Sequence, residues 1–144
     1  MRNGCVFCAI ASGEAPARLV AASDGAIAFL DIAPAGDGHT LVIPRAHAAD
    51  IWSLSPIDAD EVWRLTVRVA DRLRDVLRPH GLTLFQANGG AGWQDVFHFH
   101  MHLVPRWEGD ALTKPWQGVP GNATRLDEMA VRLSSGRTYP PAAT

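Results

Sequence analysis

Only two cysteines, Cys5 and Cys8, occur in 144 residues. A single pair separated by two residues is too tight to staple a fold, which excludes a disulfide scaffold and points to a reducing compartment. Charge of one sign is also missing. Thirteen Lys and Arg stand against fifteen Asp and Glu, net -2, and the basic residues are scattered, so there is no electrostatic footprint for nucleic acid. No apolar run approaches the roughly 20 residues of a membrane span, and the start MRNGCVFCAIASGEAPA lacks a sustained signal-peptide core. A cytoplasmic location is therefore expected. Repeats and low-complexity linkers are absent apart from the tail YPPAAT, which is expected to fray. A chain that is 47% hydrophobic and 19% charged can bury one sizeable core.

Short apolar runs at 18–22, 26–32 and 40–44, parted by Ser/Asp/Gly and Pro/Gly/Asp clusters, predict strands joined as hairpins. Ser55-Pro56-Ile57-Asp58 reads as a helix start, with a capping serine and proline at the first helical position. Val62, Leu65, Val69, Leu73, Val76 and Leu77 then recur at helical spacing until Arg78-Pro79-His80-Gly81 ends the run. The opposite face, with Arg64, Arg68, Asp71, Arg72 and Asp75, reads as solvated. A strand is expected over 82–88, followed by the Gly-rich loop NGGAGWQD. After Pro105 a Trp/Pro/Gly-rich segment leads to a short helix with Thr124 and Asp127 as a capping box. The pattern is α+β.

The stretch FHFHMHLVP, residues 97–105, alternates with period 2 and so predicts a half-buried strand. It contains half of the six histidines. On a strand, His98, His100 and His102 share one face at intervals of roughly 6.5–7 Å, while Phe97, Phe99, Met101 and Leu103 pack behind them. Neutral imidazole is a good nucleophile near pH 7. Phosphoryl-type transfer needs mainly positioning and charge stabilisation, which a row of imidazoles supplies.

The run His98-Phe99-His100-Met101-His102-Leu103-Val104 resembles the motif of the histidine triad (HIT) family. The stretch FLDIAPAGDGHTLVIPRAH is similar to that family's nucleotide-binding strand pair, and CVFCAIASGEAP to the start of many bacterial members. The likeness covers roughly residues 5–107. It implies a five-stranded antiparallel sheet with a long and a shorter helix, two copies joining into a ten-stranded sheet with the long helix, 56–78, at the interface. Residues 1–107 would form the domain core, and 108–144 an extension packed on it.

The activity implied is hydrolysis or transfer at the α-phosphate of a purine nucleotide conjugate, a phosphoramidate or a dinucleoside polyphosphate, without an organic cofactor. By the family pattern His100 is the nucleophile, His102 contacts phosphate oxygens or the leaving group, His98 orients the site, and His39 is a fourth imidazole from a neighbouring strand. Asp31 would accept from the ribose hydroxyls, with Ile32 and Phe29 against the base. Asn88 and Gln94 match positions facing the phosphates. Asp95 stands where many members carry a hydroxyl, and Trp93 replaces a glycine. An ionised carboxylate cannot donate to phosphate. Trp93 either caps the leaving-group side or packs down.

Cys5-Val6-Phe7-Cys8 fits a redox pair, part of a zinc site, or two buried thiols. The resemblance implies structural zinc on Cys5, Cys8, His47 and His98, a tetrahedral Cys2His2 set. Two other functions stay open: a zinc hydrolase that binds its metal through the HxHxH strand itself, and a nucleotide-binding scaffold without turnover.

Overall fold

The computed structural model describes residues 4–115 and 118–135; the YPPAAT tail lies outside them. The order is α1 (Val6–Ser12), β1 (Leu19–Ala22), β2 (Ala26–Leu30), β3 (Thr40–Pro44), α2 (Pro56–Leu77), β4 (Gly81–Phe85), a short 3-10 turn (Gly90–Gly92), β5 (Met101–Arg106) and α3 (Ala123–Ser134). The five strands form one antiparallel sheet in the order β1-β2-β3-β5-β4, as the sequence suggests. Helix α2 carries the chain to the far edge, and β5 returns between β3 and β4.

Alternation sorts the two faces. Ala26, Ala28, Val42, Phe99 and Leu103 meet Val62, Leu65, Val69 and Leu73 of α2. Ile27, Phe29, Leu41 and Ile43 lie on the other face with Phe7 of α1. Burial of each Val, Leu, Ile or Phe among them contributes about 1.5–3 kcal/mol, so the two clusters hold the sheet from both sides. Ser55 caps α2, its Oγ accepting from the Asp58 N–H at 3.1 Å, and Arg78 closes the helix in the left-handed conformation, φ 50°. Val76, expected on the apolar stripe, is instead exposed. It falls in the last turn, beyond Leu73, where the buried stripe ends.

The histidine strand is shorter than alternation predicts, because β5 begins at Met101 and residues 96–98 form a bend. The Phe99 N–H bonds the Ala48 carbonyl at 2.6 Å, outside the ladder. Phe97 is consequently exposed rather than packed behind the histidines. Likewise β4 stops at Phe85, where Gln86 and Asn88 bond each other's side-chain amides. The chain divides into two compact units between Ala111 and Leu112. In the second unit Asn122, not Thr124, caps α3, its side chain accepting from the Arg125 N–H at 3.0 Å. The helix therefore starts one residue before Thr124, which leaves that hydroxyl within the first turn.

Candidate active site and metal cluster

The β2–β3 hairpin brings Asp31 and His39 together, the Asp31 N–H bonding the His39 carbonyl at 3.0 Å. Gly38 makes this turn possible. Its φ of +78° is a left-handed conformation that favours glycine, and a Cβ there would press on Leu77 Cδ1 and lie 3.2 Å from Pro105 Cγ. Register sets Leu41 opposite His102, and His102 opposite Phe85. Ring contact follows from it: Phe85 and His102 stack with centroids 4.0 Å apart and planes 9° from parallel.

The hydrogen bonds assign the tautomers. The Ala35 N–H donates to His39 Nδ1 at 3.0 Å, so neutral His39 carries its proton on Nε2. That nitrogen lies 2.9 Å from His102 Nδ1 and 3.6 Å from Asp31 Oδ2. His102 therefore accepts through Nδ1 and keeps its own proton on Nε2. His100 Nδ1 donates to the His98 carbonyl at 2.7 Å, which leaves its Nε2 with a lone pair. Rings of His100 and His102 meet edge to face at 4.7 Å. Asp31, His39 and His102 could in principle surround a cation, but the proton on His39 Nε2 makes them a hydrogen-bonded relay.

Burial above all pulls the His102 pKa down, to about 4, with His100 and His39 adding to the effect and Asp31 and Asp95 opposing it. His39 is lowered by burial and by His100 against the attraction of Asp31. His102 is thus neutral at physiological pH. An unfolded histidine titrates near 6.5, so between about pH 6.5 and 4 the unfolded chain binds more protons than the folded one. The stabilisation from neutral His102 is complete above about pH 6.5 and is lost as pH falls toward 4. Urea midpoints measured across this window should decline in the wild type and decline less steeply in His102→Asn. Equal slopes would refute the assignment.

A second cluster lies at the start of α1. Cys5 caps this helix, its Sγ accepting from the Cys8 N–H at 3.5 Å. His98 Nδ1 is 3.5 Å from both Cys5 Sγ and Cys8 Sγ, and His47 Nδ1 is 3.3 Å from Cys8 Sγ. One donor atom from each of the four residues falls within a 4.8 Å span. A zinc tetrahedron with bonds of about 2.3 Å to sulfur and 2.0–2.1 Å to nitrogen has S···N edges of about 3.5 Å, so the donor set fits the ion. His98 Nε2 donates to the Pro44 carbonyl at 2.9 Å, which turns the Nδ1 lone pair to the sulfurs, the usual second partner of a ligating imidazole. The His98 pKa is lowered by burial foremost, against the Pro44 bond. Both ring nitrogens being engaged here, His98 meets the active site through its carbonyl. Among the described residues, no metal-fitting group contains more than one of the three triad histidines, which counts against HxHxH as a metal-binding strand.

The remaining expected residues are placed differently from one another. Gln94 is buried, its amide accepting from the Gly89 N–H and donating to the Ala49 and Val96 carbonyls. It laces the Gly-rich loop to its surroundings. Asn88 accepts from the Ile51 N–H at 2.7 Å. Asp95 Oδ1 accepts from the Val96 N–H. The Asp31 carboxylate also accepts from the Ala33 N–H. Ile32 is 90% exposed, whereas Phe29 is buried edge-on to Phe7. Trp93 does not pack down: it is 72% exposed and takes φ +72°, the conformation that explains glycine at this place in the family motif. Phe7, edge-on to both His98 and His100, and Phe85 were not singled out from the sequence. The register that sets Phe85 opposite His102 exists only once β4 lies beside β5.

An antiparallel sheet that presents paired imidazoles beside a hairpin carboxylate is the histidine-triad arrangement. The family model for the HIT domain matches residues 12–109, and the chain belongs to that family. Among its relatives is the adenosine 5'-monophosphoramidase hnt1 of Schizosaccharomyces pombe, 32% identical over 132 residues, 91% of this chain and 96% of that one. The crystal structure of a HIT family protein from Bacillus anthracis superposes with a TM-score of 0.87 at 32% identity, covering 96% and 100% of the two chains. A zinc-bound histidine triad family protein from Mycobacterium smegmatis superposes with a TM-score of 0.72 at 36% identity, covering 93% and 98%. No described helix is long and apolar enough to cross a membrane.

Proposed function

We propose that this protein cleaves purine nucleotide conjugates, phosphoramidates or dinucleoside polyphosphates, at the α-phosphate through a nucleotidyl-His100 intermediate. One observation carries the reading: the His98 carbonyl holds the His100 Nδ1 proton at 2.7 Å, so the lone pair is on Nε2. That nitrogen attacks the α-phosphorus. The bond to the leaving amine or phosphate breaks, and the leaving group takes a proton from water. Positive charge on the substituted imidazole is stabilised by the same carbonyl, while His102 Nε2–H donates to a phosphoryl oxygen. Water then attacks phosphorus, the bond from phosphorus to Nε2 breaks, and the water's proton passes to solvent, which releases the nucleoside monophosphate and restores the His100 lone pair. Asp31 accepts from the ribose hydroxyls, exposed Ile32 meets the base while Phe29 stays buried against Phe7, and the Gly-rich loop held by Asn88, Gln94 and Asp95 faces the phosphates. Cys5, Cys8, His47 and His98 would hold structural zinc, tying the start of α1 to the segments after β3 and before β5, with no part in the reaction.

Adenosine phosphoramidate and diadenosine polyphosphates, compared side by side, test the reading. Release of AMP and an AMP-sized mass on the peptide containing His100, trapped by acid-free quenching, are expected. Tight AMP binding with no turnover of any nucleotidyl substrate would leave a scaffold instead.

The same reading includes a symmetric homodimer. It is supported by the edge position of β4 and by Ile57, Trp63 and Val67 exposed on α2. Sedimentation at micromolar concentration should give twice the chain mass; a monomer would refute it.

A further inference from the structure

Phe85 is the last residue of β4, on the sheet edge, and it is 44% exposed. A ring recruited only to fill the core would be buried. Instead it lies flat on His102 at 4.0 Å, closer than the roughly 4.5–7 Å usual for aromatic pairs, and reaches the His39 ring at 6.4 Å. His102 is otherwise held by the 2.9 Å bond from His39 Nε2 to its Nδ1 and by the inclined His100 ring at 4.7 Å. One hydrogen bond and one inclined ring restrain a swing about the Cβ–Cγ axis only in part, and such a swing would break the relay and turn Nε2–H away. A flat ring against its face resists that swing.

We propose that Phe85 is the positioning residue of the His39–His102 pair, holding the His102 imidazole in the plane where Nδ1 accepts from His39 and Nε2–H faces the substrate phosphate. Its consequence for turnover rests on the proposed nucleotidyl chemistry; its consequence for the imidazole does not. A role confined to strand stability would change the melting temperature and leave the folded protein's His102 and turnover number unaltered.

The test uses the full chain with Phe85→Ala, Phe85→Leu and Phe85→Tyr. Leucine keeps apolar bulk on the strand without the flat face, so it serves if alanine unfolds the edge; tyrosine keeps the face. Imidazole 15N shifts should show His102 protonated on Nε2 alone in the wild type and in Phe85→Tyr. In the alanine and leucine variants they should show a mixture of both tautomers. On adenosine phosphoramidate, kcat should fall about tenfold in those two variants, with KM within about twofold of wild type, and tyrosine should restore it. A scrambled tautomer in a protein that turns over no nucleotide would sustain the positioning role and overturn the proposed activity. An unchanged tautomer and an unchanged kcat in folded Phe85→Leu would overturn the positioning role.

Discussion

His100→Ala is expected to lower turnover of adenosine phosphoramidate by about 10⁴-fold or more, since loss of a covalent nucleophile removes the reaction path rather than one contact. The fold should survive. The ring packs edge-on against Phe7 and His102, and its one hydrogen bond is to a carbonyl within its own segment, so truncation leaves no distant partner stranded. Far-UV circular dichroism and a melting curve establish that the variant is folded before rates are compared. The His100 adduct must vanish with the activity. A folded His100→Ala protein that turns over near the wild-type rate would end the covalent mechanism.

Stripping metal, or replacing Cys8 with serine, should produce the largest change in stability. Ligand binding to the folded state alone contributes about 4 kcal/mol when free ligand is a thousand times its Kd, and in a domain of roughly 100 residues each 1 kcal/mol moves the melting temperature by about 4–8 °C. A fall of about 15 °C or more is therefore expected on chelation. Cys8→Ser should purify with less than the one equivalent of zinc expected for wild type. Residual activity of its folded fraction should fall far less than in His100→Ala, because no step passes through the ion. A wild-type chain that purifies metal-free and melts at the same temperature with and without chelator would remove zinc from the account.

Much of this was legible in the residues themselves. The hairpins, the capped α2 and the sorting of Phe99 and Leu103 to the helix side follow from period and capping chemistry, which act over a few residues. Alternation correctly placed His98, His100 and His102 away from α2, but it could not reveal that the strand opens at Met101. That boundary depends on Phe99 bonding Ala48, a long-range choice. The commitment of the Gln94 amide to three backbone groups was illegible for the same reason: a glutamine next to glycines looks like a phosphate ligand until its partners at 49, 89 and 96 are in place. Phe85 was hidden because nothing local tells which strand will lie beside β5. Trp93 departs from a glycine pattern, and its φ of +72° gives that departure its physical content.

Cys5 and His98 are 93 positions apart, which makes the order of synthesis matter. At about 5–20 residues per second, the thiols leave the ribosome roughly five to twenty seconds before the imidazole that completes their cluster. Throughout that interval the CxxC pair stands without the imidazole it contacts in the folded protein, its thiols open to oxidants. His100 waits on the same event, since the carbonyl that accepts its Nδ1 proton belongs to His98. Chain elongation therefore leaves both histidine clusters incomplete until nearly the same moment.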